Sequence, residues 1–395
     1  MDEMNYEQNP YQALVKIKVV GVGGGGNNAV NRMIEAGIRS AEFVAVNTDK
    51  QALLTSNAPT RLQIGERLTS GWGAGGKPEI GQKAAEESKS SITEMLQGTN
   101  LLFITAGLGG GSGSGAAPII AQIAKELGIL TIAVVTKPFN YEGPIRAKNA
   151  ETALESLTKQ VDAIVVIPNE KLLSILPKKT GFKESLRYAD EILRQGVQGI
   201  SDLITNTGLI NLDFADVTTI MKDKGLAHMG IGYGTGENRA LDAVKQAVSS
   251  PLLETTIEGA TGILLNIKGG NDLTQEDVSE ANALVREIVD DDCNIITGTS
   301  FDENMRDEIE ITLIATGFKK PNEQKENTVA AGAKSVGNMG QQTGPQQTRM
   351  FGFAQPKPEE KPEVSVSQPQ NLGSSRVDVG TTVPPWIEKL RRNKK

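Results

Sequence analysis

The chain has little of what many catalytic sites are built from. Its 395 residues include one cysteine, Cys293, and one histidine, His228. That excludes an intramolecular disulfide, a thiolate zinc site and any histidine cluster. No apolar run approaches the ~20 residues that a membrane helix needs. The first twelve residues, MDEMNYEQNPYQ, lack the basic and apolar regions of a signal peptide. The sequence therefore predicts a cytoplasmic protein with no direct membrane insertion. Basic surface is also short: 41 Lys and Arg face 48 Asp and Glu, a net charge of -7. Phosphate backbones need the opposite sign, so no nucleic acid is expected as a partner.

Glycine, at 43 residues, is the outlier, and it is clustered. Charge and composition both change near Gly317. Residues 1–316 carry 28 basic and 41 acidic side chains, whereas 317–395 carry 13 and 7. From 318 to 383 the chain is rich in Pro, Gln, Asn, Gly and Ser and has too little apolar surface to offset chain entropy, which reads as a disordered linker. A short apolar and basic peptide, 384–395, follows; it contains Trp386, Ile387 and Leu390 and has a net charge of +4. The expected organisation is a flexible 1–12, a nucleotide domain 13–207 that includes a long central helix, a smaller domain 208–317, the linker and the terminal peptide.

Within 1–316 short apolar runs alternate with helical periodicities. Strands are expected at Lys16–Val22, Glu42–Val46, Asn100–Ala106, Ile129–Thr136 and Ala163–Ile167. Helices are expected at Asn28–Glu35, Glu79–Leu96, Ala116–Leu127 and Ala147–Thr158. This is the pattern of an α/β, doubly wound parallel sheet covered on both faces. Leu186, Ala189, Leu193, Val197, Ile200 and Ile204 recur at three- and four-residue steps and mark the long helix. A second α/β unit follows, with strands at Ala227–Tyr233, Gly262–Ile267, Asn294–Thr299 and Glu308–Ala315, and helices at Arg239–Val248 and Gln275–Val289.

Two glycine loops each join a strand to a helix. The first, Gly21-Val22-Gly23-Gly24-Gly25-Gly26-Asn27-Asn28, satisfies G-x-G-x-x-G. Such a turn lets backbone approach a phosphate at a helix N-terminus. Alone it fits an NAD-dependent oxidoreductase, with Asp49 as the ribose acid; a tight turn with no ligand is the plainer alternative. The second, Gly109-Gly110-Gly111-Ser112-Gly113-Ser114-Gly115, is one more loop than a dinucleotide pyrophosphate needs and suggests a longer phosphate chain. The hydroxyls of Ser112 and Ser114 can donate to phosphate oxygens. No Walker sequence is present. Further on, Asp213 and Asp216 in Asn211-Leu212-Asp213-Phe214-Ala215-Asp216 suit either a helix cap, with Asp216 capping, or the orientation of a water molecule.

The GGGSGSG loop resembles the signature loop of the tubulin/FtsZ GTPases. ITAGLGGGSGSGAAPIIAQIAKELGILTIAVVTKPF, GVGGGGNNAVNRMI, AVNTDKQAL, IPNEKLL, GVQGISDLI and NLDFADV resemble its bacterial FtsZ branch, in order, over roughly 13–317. The resemblance implies a tubulin-like fold and GTP or GDP held by Gly24, Gly25, Gly26, Asn27, Asn28, Gly111, Ser112 and Gly113, with Asn47-Thr48-Asp49 near the phosphates. It assigns Glu142 and Arg146 to ribose and phosphate, Asn169 to sugar and base, and Asp190 to guanine. Mg2+ would be carried by the phosphates, with no metal ligands from the protein. Leu186 stands where the family often has Phe, and Glu191 where Asn is common, which leaves Glu191 as a competitor for the base. The resemblance further implies that Asn211, Asp213 and Asp216 are catalytic on a neighbouring subunit's nucleotide. The expected protein is then a head-to-tail homopolymer forming a mid-cell division ring, whose residues 384–395 engage membrane-tethering and regulatory division proteins. A regulatory GTP-binding relative that does not assemble is the alternative within the family.

Overall fold

Strands that are apolar on both faces need helices above and below them, and the chain supplies both. The computed structural model describes residues 15–176, 180–205, 213–253 and 256–318. The first part runs β1 (Ile17–Val22), α1 (Gly23–Glu35), β2 (Glu42–Asn47), α2 (Lys50–Leu54), β3 (Thr60–Gln63), α3 (Glu66–Thr69), α4 (Pro78–Glu87), α5 (Lys89–Leu96), β4 (Leu101–Gly107), α6 (Ser112–Glu126), β5 (Leu130–Lys137), α7 (Pro144–Thr158), β6 (Ala163–Pro168), α8 (Asn169–Ile175) and the long α9 (Phe182–Thr205). Then follow α10 (Phe214–Met221), β7 (Gly225–Thr235), α11 (Arg239–Val248), β8 (Gly262–Gly269), α12 (Gln275–Ile288), β9 (Asn294–Phe301) and β10 (Glu308–Thr316).

The strands lie in the order β3-β2-β1-β4-β5-β6-β7-β10-β8-β9. From β3 to the start of β7 every pairing is parallel. Only β10 runs antiparallel to its neighbours, β7 and β8. The alternation of side chains sorts two cores. Leu101 and Phe103 of β4 face α1 and α9, whereas Leu102, Ile104 and Ala106 face α4 to α7. A third core packs α11 and α12 with β8 and β10, where Cys293 is buried. His228 is buried too, with its ring 4.7 Å from that of Phe318. In the same region Arg239 is buried and holds Asp277 and Asp272 at 2.7 Å each, tying α11 to the start of α12.

The glycines change the expected boundaries. α1 begins at Gly23 and α6 at Ser112, four or five residues before the apolar periodicity starts. Glycine disfavours helix, but here packing requires it. A Cβ on Gly26 would lie 2.2 Å from the Thr105 carbonyl oxygen. Gly23, at φ +72°, would place one 2.8 Å from the Gly113 nitrogen. The helix expected at Glu79–Leu96 is two helices, α4 and α5. They break at Ser88, whose Oγ accepts from Gly65 N–H at 3.0 Å.

Candidate functional site

β1 and β4 are neighbours, and the sheet order reverses between them: β1 leads outward to β2 and β3, and β4 to β5 and β6. In open parallel sheets that switch point opens a crevice at the C-terminal ends of the strands. Both glycine loops leave from those ends and pack backbone against backbone. A Cβ on Gly25 would lie 3.1 Å from Gly107 Cα, and one on Gly113 would lie 2.8 Å from the Gly107 carbonyl oxygen. Gly111 is pressed against Ala74 and Lys77. Gly24 and Gly110 differ: apart from their chain neighbours and, for Gly24, its own helix backbone, nothing lies within 4 Å of where their Cβ would be. The N-termini of α1 and α6 meet there, and their unpaired N–H groups favour an anion.

Side chains brace the loops. Asn27 is buried. In the amide orientation that satisfies its neighbours, it donates to the carbonyls of Gly21 (2.8 Å) and Gly23 (3.1 Å) and accepts from Asn47 Nδ2 (3.1 Å). Its side chain therefore shapes the first loop, while exposed Asn28 faces outward. Ser114, expected to offer its hydroxyl to phosphate, is also buried, and its Oγ accepts from Gly109 N–H at 2.8 Å. Ser112 Oγ lies 2.6 Å from Thr48 Oγ1, so the Asn47-Thr48-Asp49 turn does reach the second loop. Asp49 N-caps α2, accepting from Gln51 N–H (2.8 Å) and Ala52 N–H (3.2 Å), a role that competes with holding a ribose. Beside it Trp72 is 87% exposed, bridged to Asp49 through backbone.

Further along the crevice Glu142 pairs with Arg146, and Glu142 Oε1 accepts from Phe139 N–H at 2.9 Å. Arg146 lies against Gly109, whose Cβ would meet its carbonyl oxygen at 2.9 Å. Asn169 opens α8 at the end of β6. It is 7% exposed, and its Oδ1 has no hydrogen-bond partner among the described residues. Such an orphan acceptor is expensive unless something fills it, and a sugar hydroxyl or a base N–H has the right chemistry.

Asp190 on α9 is held at a pKa of about 7, well above the usual carboxylate range. Burial is the main cause and Glu191 adds to it, while Arg32 of α1 and Arg187 pull the other way. Glu191 is engaged along its own helix. Both its oxygens are taken by Arg194 Nε, at 3.0 and 2.9 Å. Leu186 is 40% exposed on the same helix. The approach of Arg32 to Asp190 had no signal in the sequence, because 158 positions separate them.

The acidic pair lies elsewhere. Asp213, not Asp216, is the N-cap: its Oδ1 accepts from Asp216 N–H at 2.8 Å, and Asp216 sits in the first turn of α10. Asn211 falls outside the described residues. α10 leads into β7, whose first residue, Gly225, pairs with Ala163, the first residue of β6. Late in α9, Ser201 Oγ meets Ser40 Oγ at 3.0 Å, just before β2 begins. Both contacts mark the N-terminal edge of the parallel strands, opposite the glycine loops. About 22 Å of helix separates Asp190 from the end of α9.

Comparison with known proteins agrees with this architecture. The model of the tubulin/FtsZ family GTPase domain matches residues 16–177, and that of the FtsZ family C-terminal domain matches 225–319. The structure of an FtsZ dimer from M. jannaschii, empty, is 47% identical with a TM-score of 0.75, covering 78% of this chain and 89% of that one. CetZ1 from Haloferax volcanii, a GDP-bound monomer, is 22% identical with a TM-score of 0.67, over 81% of this chain and 99% of that one. CetZ2 from the same organism, a GTPgS-bound protofilament, is 21% identical with a TM-score of 0.66, over 80% and 97%. The CetZ likenesses speak to fold alone. With both family models matched and 47% identity to an FtsZ structure over 78% of its length, the chain belongs to the tubulin/FtsZ family of GTPases, on its FtsZ side.

Proposed function

We propose that the chain binds GTP, hydrolyses it to GDP and phosphate, and polymerises head to tail into filaments of a cytoplasmic division ring at mid-cell. The carrying observation is the pair of glycine loops at the switch point, with the acidic residues at the far edge of the same sheet. The phosphates lie across the N-termini of α1 and α6, over Gly24, Gly25, Gly26, Gly111, Ser112 and Gly113. Glu142, Arg146 and Asn169 hold the sugar side. Ionised Asp190 accepts from guanine N1–H and the N2 amino group, which adenine does not offer. Mg2+ carried by the phosphates would offset their charge, with no ligand assigned to it from the protein.

Asp213 and Asp216, with Asn211, orient a water molecule and take its proton as the oxygen attacks the γ-phosphorus and the bond to the bridging oxygen breaks. A single subunit cannot bring these groups together. The next subunit in line supplies them, and a heterologous contact that does not close extends as a filament. In this reading 13–207 and 208–317 are the nucleotide and activating domains. Residues 318–383 set reach, and 384–395 engage membrane-tethering and regulatory division proteins. Sedimentation with GTP, read alongside phosphate release, tests the proposal. GTP-dependent pelleting and activity per molecule that rises above a threshold concentration are expected. Activity that stays flat on dilution, with no pelleting, would support the non-assembling alternative instead.

A further inference from the structure

Phe139, Tyr141 and Phe182 form a ladder of rings that starts in the core and ends in solvent. Phe139 is 2% exposed. Tyr141 stacks on it, with centroids 5.2 Å apart and planes at 17°. Phe182 follows at 5.7 Å, tilted by 60°. The outer two rings are 59% and 65% exposed, among the largest apolar side chains left in water. Their position joins the two halves of the candidate site. Tyr141 directly precedes Glu142, whose carboxylate is bonded back to the Phe139 N–H. Phe182 begins α9, and Phe182, Leu186 and Asp190 follow at four-residue spacing along one helix face.

A nucleoside with its base edge at Asp190 and its ribose at Glu142 must lie between these elements. The polar groups named so far account for its edge and its sugar, but not for the faces of the purine. Leu186 is aliphatic and offers no π-face. We propose that Tyr141 and Phe182 form an aromatic wall against which the purine of the bound nucleotide stacks. The proposal rests on the reading that this crevice holds GTP. Because every base has a π-face, stacking adds affinity without choosing the base. The wall therefore supplies binding strength, and Asp190 supplies the choice of guanine.

Equilibrium dialysis of the full-length chain with GTP and with ATP tests this. Phe182→Leu and Tyr141→Leu should each weaken both nucleotides about tenfold and leave their ratio unchanged. Phe182→Tyr and Tyr141→Phe should keep wild-type affinity. Both rings are exposed, so the unfolding midpoint without nucleotide should not move; if Phe182→Leu lowers it, Phe182→Met replaces it. Wild-type affinity in both leucine variants, or loss of one nucleotide only, overturns the wall. Asp190→Ala in the same titration separates the two ideas. If it abolishes the preference for GTP while the leucine variants change nothing, the GTP reading stands and the wall falls. If the wild-type chain shows no preference for GTP, both fall.

Discussion

At the scale of single residues, the two glycine loops hold glycines of two kinds. Gly23, Gly26, Gly111 and Gly113 are required by the fold, since a Cβ on any of them would lie within 3 Å of protein atoms. Gly24 and Gly110 are not: their surroundings are open, and their φ angles are negative or extended. On the proposed reading, the space over Gly24 is where the phosphates lie. Gly24 is exposed in the first turn of α1, where alanine favours helix by up to about 1 kcal/mol. Gly24→Ala should therefore leave the unfolding midpoint equal or higher while weakening GTP binding. Calorimetric titration beside a thermal melt reads both effects. Wild-type affinity in Gly24→Ala would remove that residue from the phosphate cradle.

Asp190 carries a prediction about pH. Burial holds its folded-state pKa at about 7, against an ordinary 3.8. The folded chain thus keeps a proton between those values that the unfolded chain has lost. Stability from this group falls as pH rises through that window and is fully lost above pH 7, at a cost on the order of 4 kcal/mol at most. Asp190→Asn should therefore melt higher than wild type at pH 8 without nucleotide, and no higher at pH 4. Guanine needs the ionised form, so the ratio of GTP to ATP affinity should fall about tenfold from pH 8 to pH 6 in the wild type. Taking the ratio cancels the titration of the phosphates, which both nucleotides share. A ratio indifferent to pH would exclude a carboxylate that titrates on binding.

At the scale of elements, the sequence is legible where burial dictates the pattern. β1, β2, β4, β5 and β6 were expected within a residue or two, because strands covered on both faces must be continuous apolar runs. α11, expected at Arg239–Val248, has those bounds. The misses are short and locally determined. α2 is five residues held by the Asp49 cap, and α3 is four residues between two left-handed ends, Gly65 and Ser70. β3 is a four-residue edge strand whose side chains are exposed or half-buried, which leaves no hydrophobic alternation to read. α8 starts at Asn169, immediately after β6, and no helix was expected over its seven residues. The site divides in the same way. Both glycine loops were legible, since a run of glycines between a strand and a helix is visible as composition. The commitments of Ser114 to Gly109, Asp49 to α2 and Glu191 to Arg194 were not. Each depends on which way a side chain turns once the backbone is built, and residue type does not encode that direction.

At the scale of the whole molecule, α9 decides what one subunit can and cannot do. Its 24 residues span about 36 Å. They begin beside the nucleotide crevice and end at the opposite edge of the parallel strands, near the acidic pair. No side-chain rotation spans that distance, so on the proposed reading hydrolysis is a property of two subunits in line. Two defective chains should then repair each other. Asp213→Ala keeps the crevice but lacks the acidic cap residue. Asp190→Ala keeps the acidic residues but loses the guanine contact, which a charged hydrogen bond makes worth about 1.5–3 kcal/mol. With GTP set between the two affinities, each variant alone should release phosphate slowly. In an equal mixture, a junction is active when an Asp213→Ala subunit holds GTP and an Asp190→Ala subunit presents its acidic residues to it. Random assembly makes about a quarter of junctions productive, so the mixture should recover roughly that share of wild-type turnover. Pelleting of both variants in one polymer is the control for assembly. If they co-sediment and the mixture stays as slow as its parts, the acidic residues are not acting across the junction, and the opposite-edge placement of Asp213 and Asp216 has some other cause.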